Sequence, residues 1–599
     1  MSFDRRMRED ARPTRAVLIT WAVIAAALSA SAWTYIAQGR FPGPDDVLRL
    51  VQVRDLLAGQ GWWDVTQYRI DPPGGVPMHW SRLVDAPLAL LILLFEPWTG
   101  AAQAEFIAAI VMPLALLLLL MLVVARLAWR LFDTRTAILS LAALAFAPAV
   151  LSQFQPLRID HHAWQIACVG VALWSIAWRR AVRGGAVAGG AMAAGVLISL
   201  EMLPMAAAFA IVLALRWAID HRARSWLVAY MQALGGVLTL LVVVFKGPGV
   251  LAPWCDAIAV PHLGFFLIAA VGTTIIGALP RLPLLTLALL FAMVAGVGVG
   301  FVAWSNPQCL TAPFGTLDPL VHEIWYRSVR EGMPVWQLEA DRAVAAIVQS
   351  LVALAATIVL CLKSRDWLRQ WWLEYAILLA LAIAAGFATA RSIAFAGVIG
   401  AIPLGWAASS LWAAYRAGDT PAKRVGAFAG IFLALMPGKA AAAALTPAFE
   451  AGGLAITAPT AARDGNCDLS ANAERLATLP PSLLFSNLDI GPGILIETPH
   501  SVVATGHHRA NLAMRDIVSG FTGSTAEARS VVERREADYV VLCEVLAETQ
   551  LLAQVGGQDS FVADLLGDRV PAWLEEVDLG TGALRVWRVR RDGNPSPPR

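Results

Sequence analysis

Charge is what this sequence has least of. Only 15% of its 599 residues are Asp, Glu, Lys or Arg, against about 25% in soluble domains. Set beside 58% hydrophobic residues and a mean hydropathy of +0.62, this deficit excludes an ordinary soluble protein and points to a polytopic membrane protein. The formal net charge is only +2, and no basic stripe with interleaved aromatics is present, so no nucleic-acid partner is expected. Cysteine is scarce as well. The six cysteines form no Cys-x-x-Cys pair and no Cys/His spacing of the zinc type, which argues against a zinc-finger-like centre. Cys168 and Cys361 fall in apolar runs and read as inert core residues. Cys467 and Cys543 lie in the polar C-terminal part and can pair if that part lies outside the cytoplasm.

Long apolar runs are what the sequence has instead. Residues 1–15 are basic and polar and are expected in the cytoplasm. The run 16–36 supplies about 20 apolar residues, enough to span a bilayer, and ends without a small-residue cleavage motif, so it reads as a retained helix. Further runs occur near 86–98, 104–131, 136–152, 163–178, 184–200, 202–217, 225–246, 262–280, 283–304, 343–363, 371–389, 391–414 and 424–445, giving about 13 spans. Arg-rich connections such as Arg179, Arg180 and Arg183 are expected on the cytoplasmic side, and the stretches 38–85 and 305–342 as external loops. The 23 tryptophans cluster partly near run ends and read as interfacial anchors. The expected fold is a polytopic α-helical membrane domain over 16–448. From residue 449 polar residues become common. Short β-like runs (Leu483–Phe485, Ser501–Ala504, Tyr539–Leu542, Ala583–Val586) alternate with a helical pattern at Ala526–Glu536. This predicts a small α/β domain over 449–599, extracytoplasmic by the odd number of spans.

Carboxylates beside membrane helices are costly unless they have a role. Asp45 and Asp46 open an amphipathic stretch in which Leu48, Val51, Leu56 and Leu57 recur at roughly helical spacing. Asp45 also fits a plain helix N-cap. Asp160-His161-His162 lies between two apolar runs; Asp oxygen and His nitrogen are ligands for a divalent ion, although an ordinary polar turn accounts for them equally well. Glu331, in Ser328-Val329-Arg330-Glu331, offers another carboxylate. Arg391 opens an apolar run, where it either snorkels to the interface or holds a phosphate. Glu201 stands unexplained inside an apolar stretch and calls for a polar partner. Thr505-Gly506-His507-His508-Arg509 forms a further polar patch.

Taken in order, these motifs resemble the catalytic subunit of oligosaccharyltransferases, within the C-type glycosyltransferase fold class, as a divergent bacterial-type member. Pro44-Asp45-Asp46 with Arg54 is similar to that family's first acidic motif. The loop Asp71-Pro72-Pro73-Gly74-Gly75-Val76-Pro77-Met78-His79-Trp80 is similar to a stretch of its first external loop. Asp160-His161-His162 resembles the archaeal form of the second acidic motif, and Ser328-Val329-Arg330-Glu331 the Ser-Val-Ser-Glu motif. Arg391 falls where the family places an arginine that contacts the donor's pyrophosphate. One departure stands out: where the family has Trp-Trp-Asp-Tyr-Gly, this chain has Asn487-Leu488-Asp489-Ile490-Gly491. The acceptor is therefore expected to differ from an asparagine sequon.

The resemblance implies transfer of a sugar or oligosaccharide from a polyprenyl-phosphate or polyprenyl-diphosphate donor to a glycan, lipid or protein acceptor outside the inner (plasma) membrane. Asp45, chosen over Asp46 for its spacing to Arg54, would be the general base or acceptor-orienting carboxylate. Asp45, Asp160, His162 and Glu331 would hold Mn²⁺ or Mg²⁺, and Arg391 the donor phosphate. Asp489, His507 and His508 would face the acceptor. Two rivals remain: a transferase that uses a polyprenyl-monophosphate sugar to modify a glycolipid or glycan, and a non-enzymatic transporter or flippase of lipid-linked sugars, whose charges would line a path through the bundle.

Overall fold

The computed structural model describes residues 13–311, 317–451, 467 and 469–591. Most of the expected cytoplasmic segment 1–15, and the start of the expected C-terminal domain, lie outside the described residues. Among the described residues ten helices are long and apolar enough to cross a membrane, or up to twelve when each of two bent pairs counts as one span. The chain is thus a multi-pass membrane protein.

The difference from about 13 expected runs has local causes. The run at 86–98 lies in the Arg82–Thr99 helix, whose first turn is polar and which contains Pro87 and Pro97. The run at 163–178 is the His162–Ser175 helix of 14 residues, about 21 Å at 1.5 Å per residue and short of the roughly 30 Å hydrocarbon core. The bent pairs break by 75° before Pro148 and by 97° before Pro437, where the missing N–H and the ring interrupt helical bonding.

The chain divides into two units. The first holds Met1–Trp33, Ser81–Ala312 and Arg330–Ile456, and the second Thr34–Trp80, Pro313–Val329 and Thr457–Arg599. Parts of both expected external loops therefore group with the C-terminal region. In the first unit, small residues let helix backbones meet. A Cβ added at Gly189 would lie 2.1 Å from the Tyr230 carbonyl oxygen, and one at Gly185 would lie 2.4 Å from that of Trp226. Glycines four residues apart form the stripe that membrane helices use for close approach. Cys255 and Cys309 form a disulfide in this unit.

The second unit is built on a five-stranded sheet. The strands in chain order are β1 Thr66–Gln67, β2 Val76–Pro77, β3 Leu483–Ser486, β4 Ser501–Val502, β5 Tyr539–Cys543, β6 Leu574–Glu576 and β7 Leu584–Val589. β1 and β2 pair alone as an antiparallel ribbon, and the larger sheet has the order β4-β3-β5-β7-β6. β3 runs parallel to β4 and β5, while β7 is antiparallel to β5 and β6. Tyr-Val-Val-Leu-Cys in β5 is buried throughout, as a continuous apolar run in a central strand requires. The expected helix near Ala526–Glu536 appears as Thr525–Arg534, started by a capping box between Ser524 and Glu527. Cys467 and Cys543 are joined by a disulfide.

The stretch 34–80 is fastened into this unit by long-range polar contacts. Arg54 donates to the Ile496 carbonyl at 2.7 Å. Arg69 donates to the carbonyls of Leu495, Thr498 and His500. Asp71 pairs with Arg535 at 2.6 Å.

Candidate functional site

In the first unit, polar side chains gather where three helices begin. Asp160 stands just before the His162–Ser175 helix. One of its carboxylate oxygens accepts the His162 backbone N–H at 3.0 Å, and the other accepts His162 Nδ1–H at 2.9 Å. Glu201 sits in the 3-10 turn Leu200–Met202, started by Ser199, whose hydroxyl accepts the Glu201 N–H. This turn leads into the Leu203–Ile219 helix. Arg391 sits in the 3-10 turn Ala390–Ser392 ahead of the Ile393–Ala417 helix. The Ala390 N–H is held by the Met333 carbonyl at 2.8 Å.

These three breaks share one cavity, lined by Gln153, His162, Gln165, Glu201, Arg391 and Ser392 among others. Arg391 Nη2 lies 2.7 Å from Glu201 Oε1, which supplies the partner that Glu201 demanded. One ligand atom from each of His161, His162 and Glu201 lies within 4.8 Å of the others, a set able to hold a divalent ion. Arg158 bridges outward, 3.5 Å from Asp160 and 3.8 Å from Glu331. The helix starts contribute the positive ends of their backbone dipoles, which together with a guanidinium favour an anion. His162 Nε2 and Arg391 Nε are buried with no hydrogen-bond partner among the described residues. Such atoms cost about 1–3 kcal/mol each unless a ligand or water satisfies them.

Asp160, His162, Glu331 and Arg391 thus belong to one region of the first unit, with Asp160 bound to His162 rather than turned away from it. Asp45 and Asp46 belong to the second unit, in the first turn of the Pro44–Leu57 helix. Burial separates them. Asp45 is exposed, whereas Asp46 is completely buried, as are Arg49 and Gln52 further along the same helix. Arg54, whose spacing favoured Asp45, is committed to the Ile496 carbonyl.

The acceptor-side candidates also separate. Asp489 is exposed; its backbone N–H and that of Leu488 donate to the Glu548 carboxylate at 2.9 and 2.8 Å. Burial and the neighbouring Asp489 push the Glu548 carboxyl up to about 8, against the pull of those two donors. Asn487 ties the same turn down, donating to Thr549 Oγ1 and accepting the Cys543 N–H. His507 instead stacks on His79, and His508 stacks on His507 with its ring tilted to that of His79. Sequence reasoning placed His161 in the Asp160-His161-His162 motif but assigned no individual role to it, to Arg158 or to His79. Glu201 did carry a signal, a lone carboxylate in an apolar run, but nothing in the sequence pointed to Arg391 as its partner.

No protein-family model matches the chain, and no curated protein matches it by sequence. Solved structures do resemble it. The archaeal oligosaccharyltransferase AglB from Archaeoglobus fulgidus, in complex with an inhibitory peptide and a dolichol-phosphate, aligns with a TM-score of 0.65 and 15% identity, over 94% of this chain and 72% of that one. The Archaeoglobus fulgidus oligosaccharyltransferase tethered to an acceptor peptide containing the NVT sequon gives 0.60 and 14%, over 94% and 73%. The complex of that enzyme with Zn and sulfate gives 0.59 and 15%, over 92% and 70%. The chain therefore has the fold of the Archaeoglobus fulgidus oligosaccharyltransferase structures, with a sheet-containing C-terminal part.

Proposed function

We propose that this protein is a membrane glycosyltransferase that moves a sugar or oligosaccharide from a polyprenyl-phosphate or polyprenyl-diphosphate donor to an acceptor outside the inner membrane. The observation that carries this reading is the single cavity in which Arg391, Glu201 and His162 meet at three helix starts. In the reaction the bond between the sugar's anomeric carbon and the phosphate oxygen breaks. A bond from that carbon to an acceptor oxygen or nitrogen forms, the acceptor's proton passes to a carboxylate, and the polyprenyl phosphate leaves. Arg391 binds the phosphate by charge-assisted hydrogen bonds, and the helix starts add to its hold on the anion. Asp46 is the carboxylate we assign to the acceptor proton, because a fully buried carboxylate is costly to keep without a role. Asp45 is exposed and serves the helix start.

The donor set fits a divalent ion. His162 Nε2 is a buried nitrogen without a partner among the described residues, and His161 and Glu201 offer ligand atoms beside it. Asp160 fixes the His162 ring by accepting Nδ1–H, the usual support for a metal-binding imidazole. The ion, when bound, would offset negative charge on the leaving phosphate; Mn²⁺ and Mg²⁺ are the ions to try first. Two disulfides support an oxidising location for the segments that carry them. The N-terminus is then cytoplasmic and the C-terminal part periplasmic.

The test is turnover of a polyprenyl-linked sugar by the purified full chain in liposomes, with water standing in as the oxygen acceptor, read as release of polyprenyl phosphate or diphosphate together with free sugar. His162→Ala should abolish release, and Arg391→Gln should slow it at sub-saturating donor by raising the donor KM. Movement of intact lipid-linked sugar across the bilayer without bond cleavage would establish the flippase reading instead.

A further inference from the structure

Three histidines meet in the second unit. His79 follows β2, and His507 and His508 precede the Asn511–Thr522 helix. His79 Nδ1 lies 2.9 Å from His507 Nε2. One ring nitrogen from each histidine lies within 4.8 Å of the other two. The rings are layered, with centroids 5.1 Å apart for His79 and His507 and 4.8 Å apart for His507 and His508.

The arrangement is built rather than incidental. Arg509, next in the chain, donates from Nη1 to the carbonyls of Pro77 at 3.2 Å and Met78 at 3.0 Å. This brings the backbone leading to His79 against the backbone that carries His507 and His508. Trp80 lies edge-on to His507 at 5.8 Å, and the Arg49 guanidinium covers Trp80 at 4.3 Å. His507 is buried, whereas His79 and His508 are half-buried. The nitrogens are therefore held in place while an entry path for a small ion remains.

We infer that His79, His507 and His508 form a binding site for a zinc-type transition-metal ion, which clips the 34–80 stretch to the C-terminal part of the same unit. Three neutral imidazoles are a recognised zinc donor set. Imidazole nitrogens suit Zn²⁺, Cu²⁺ and Ni²⁺, whereas Mg²⁺ and Mn²⁺ favour oxygen ligands. The site is thus set apart by chemistry from the carboxylate-containing cluster at His162 and Glu201. An ion that binds the folded unit and not the separated strands stabilises it by mass action. The inference does not depend on the glycosyl-transfer reading.

The experiment uses the full chain in detergent, stripped with chelator and reloaded with Zn²⁺ or with Co²⁺ as a spectroscopic probe. His162→Ala is introduced throughout to silence the other cluster. In that background the chain should retain one tightly bound Zn²⁺, show visible Co²⁺ bands and melt at a higher temperature with Zn²⁺ than without. Adding His79→Gln, His508→Gln or His507→Ala should remove the ion, the bands and the zinc-dependent rise in melting temperature. Should His507→Ala fail to fold, the half-buried His79 and His508 variants decide the matter, provided their metal-free melting and gel-filtration profiles match the parent. Equal zinc content and unchanged Co²⁺ bands in those two variants would overturn the assignment.

Discussion

Asp160 takes the Nδ1–H of His162 at 2.9 Å, and by doing so orients the ring that lines the buried cavity and whose Nε2 is buried without a partner among the described residues. An ionised carboxylate can only accept, so Nδ1 is the nitrogen that donates in this pair. Supporting carboxylates of this kind usually change metal affinity by about 10–100-fold when removed. Asp160→Asn is expected to weaken divalent-ion affinity by about that factor while leaving the fold intact, and His162→Ala to weaken it further. Isothermal titration with Mn²⁺ and Mg²⁺ measures both; equal affinities for wild type and Asp160→Asn would remove the supporting role.

Arg391 pairs with Glu201, and in the proposed reading it also holds the donor phosphate. Losing one charge-assisted contact costs about 1.5–3 kcal/mol, so Arg391→Gln should raise the KM for a polyprenyl-linked donor roughly 10–100-fold. Glu201→Gln leaves the guanidinium without its 2.7 Å partner. It should tighten binding of the bare polyprenyl phosphate, seen as stronger product inhibition. Steady-state kinetics with added polyprenyl phosphate gives both answers, and an unchanged inhibition constant would argue against competition at Arg391.

Burial predicts which of the paired aspartates matters. Asp46→Asn should lower the transfer rate by about a hundredfold or more, the usual scale for losing a general base. Asp45→Asn, at an exposed first-turn position, should cost helix stability of about 0.3–1 kcal/mol and little rate. The reverse ranking in a single-turnover assay would restore the choice that spacing to Arg54 favoured.

Glu548 makes the second unit pH-sensitive. Its carboxyl sits at about 8 when folded, against an ordinary value of 4.5, so folding takes up a proton between those values. The contribution is complete below the ordinary value and is lost as pH rises through about 8. Thermal unfolding followed from about pH 5 to about pH 9 should show a decline in melting temperature that Glu548→Gln flattens. A decline that persists in the variant would place the titration elsewhere.

The Cys467–Cys543 disulfide closes a separation of 76 residues, worth about 4 kcal/mol by loop-closure entropy. Cys467→Ser should lower the melting temperature of the second unit, and wild type should show the same loss under reductant. Differential scanning calorimetry with and without reductant separates this from other effects of the substitution.

Much of the fold was legible because it rests on local signals. Apolar run length gives the spans, and short β-like runs at Tyr539–Leu542 and Ala583–Val586 give strands that the structure contains. About 13 spans were expected, and ten to twelve candidates stand among the described residues; Pro148 and Pro437 bend two of them, and the His162–Ser175 helix is short. The site was only half legible. Asp160-His161-His162 advertises itself as a run of polar groups between apolar segments. The Arg391–Glu201 pair and the approach of His79 to His507 join residues 190 and 428 positions apart. No spacing rule reaches so far, because such contacts are set by how helices and loops pack and not by helical or strand period. Burial of Asp46 against exposure of Asp45 is likewise a tertiary fact, invisible in two adjacent identical letters.

Arg54 and Arg69 spend their guanidinium hydrogen bonds on carbonyl oxygens at the end of the Gly491–Glu497 helix and just beyond it. A backbone carbonyl has no side chain to mutate, so these contacts are insensitive to side-chain drift in 491–500 and depend on two arginines far upstream. The C-terminal region is consequently not a detachable cassette. A chimaera that swaps residues 457–599 for those of another protein would keep its docking partner only if 34–80 travelled with it, and a fragment expressed from 457 onward would present bare carbonyls and the exposed ends of β4 where that stretch had been.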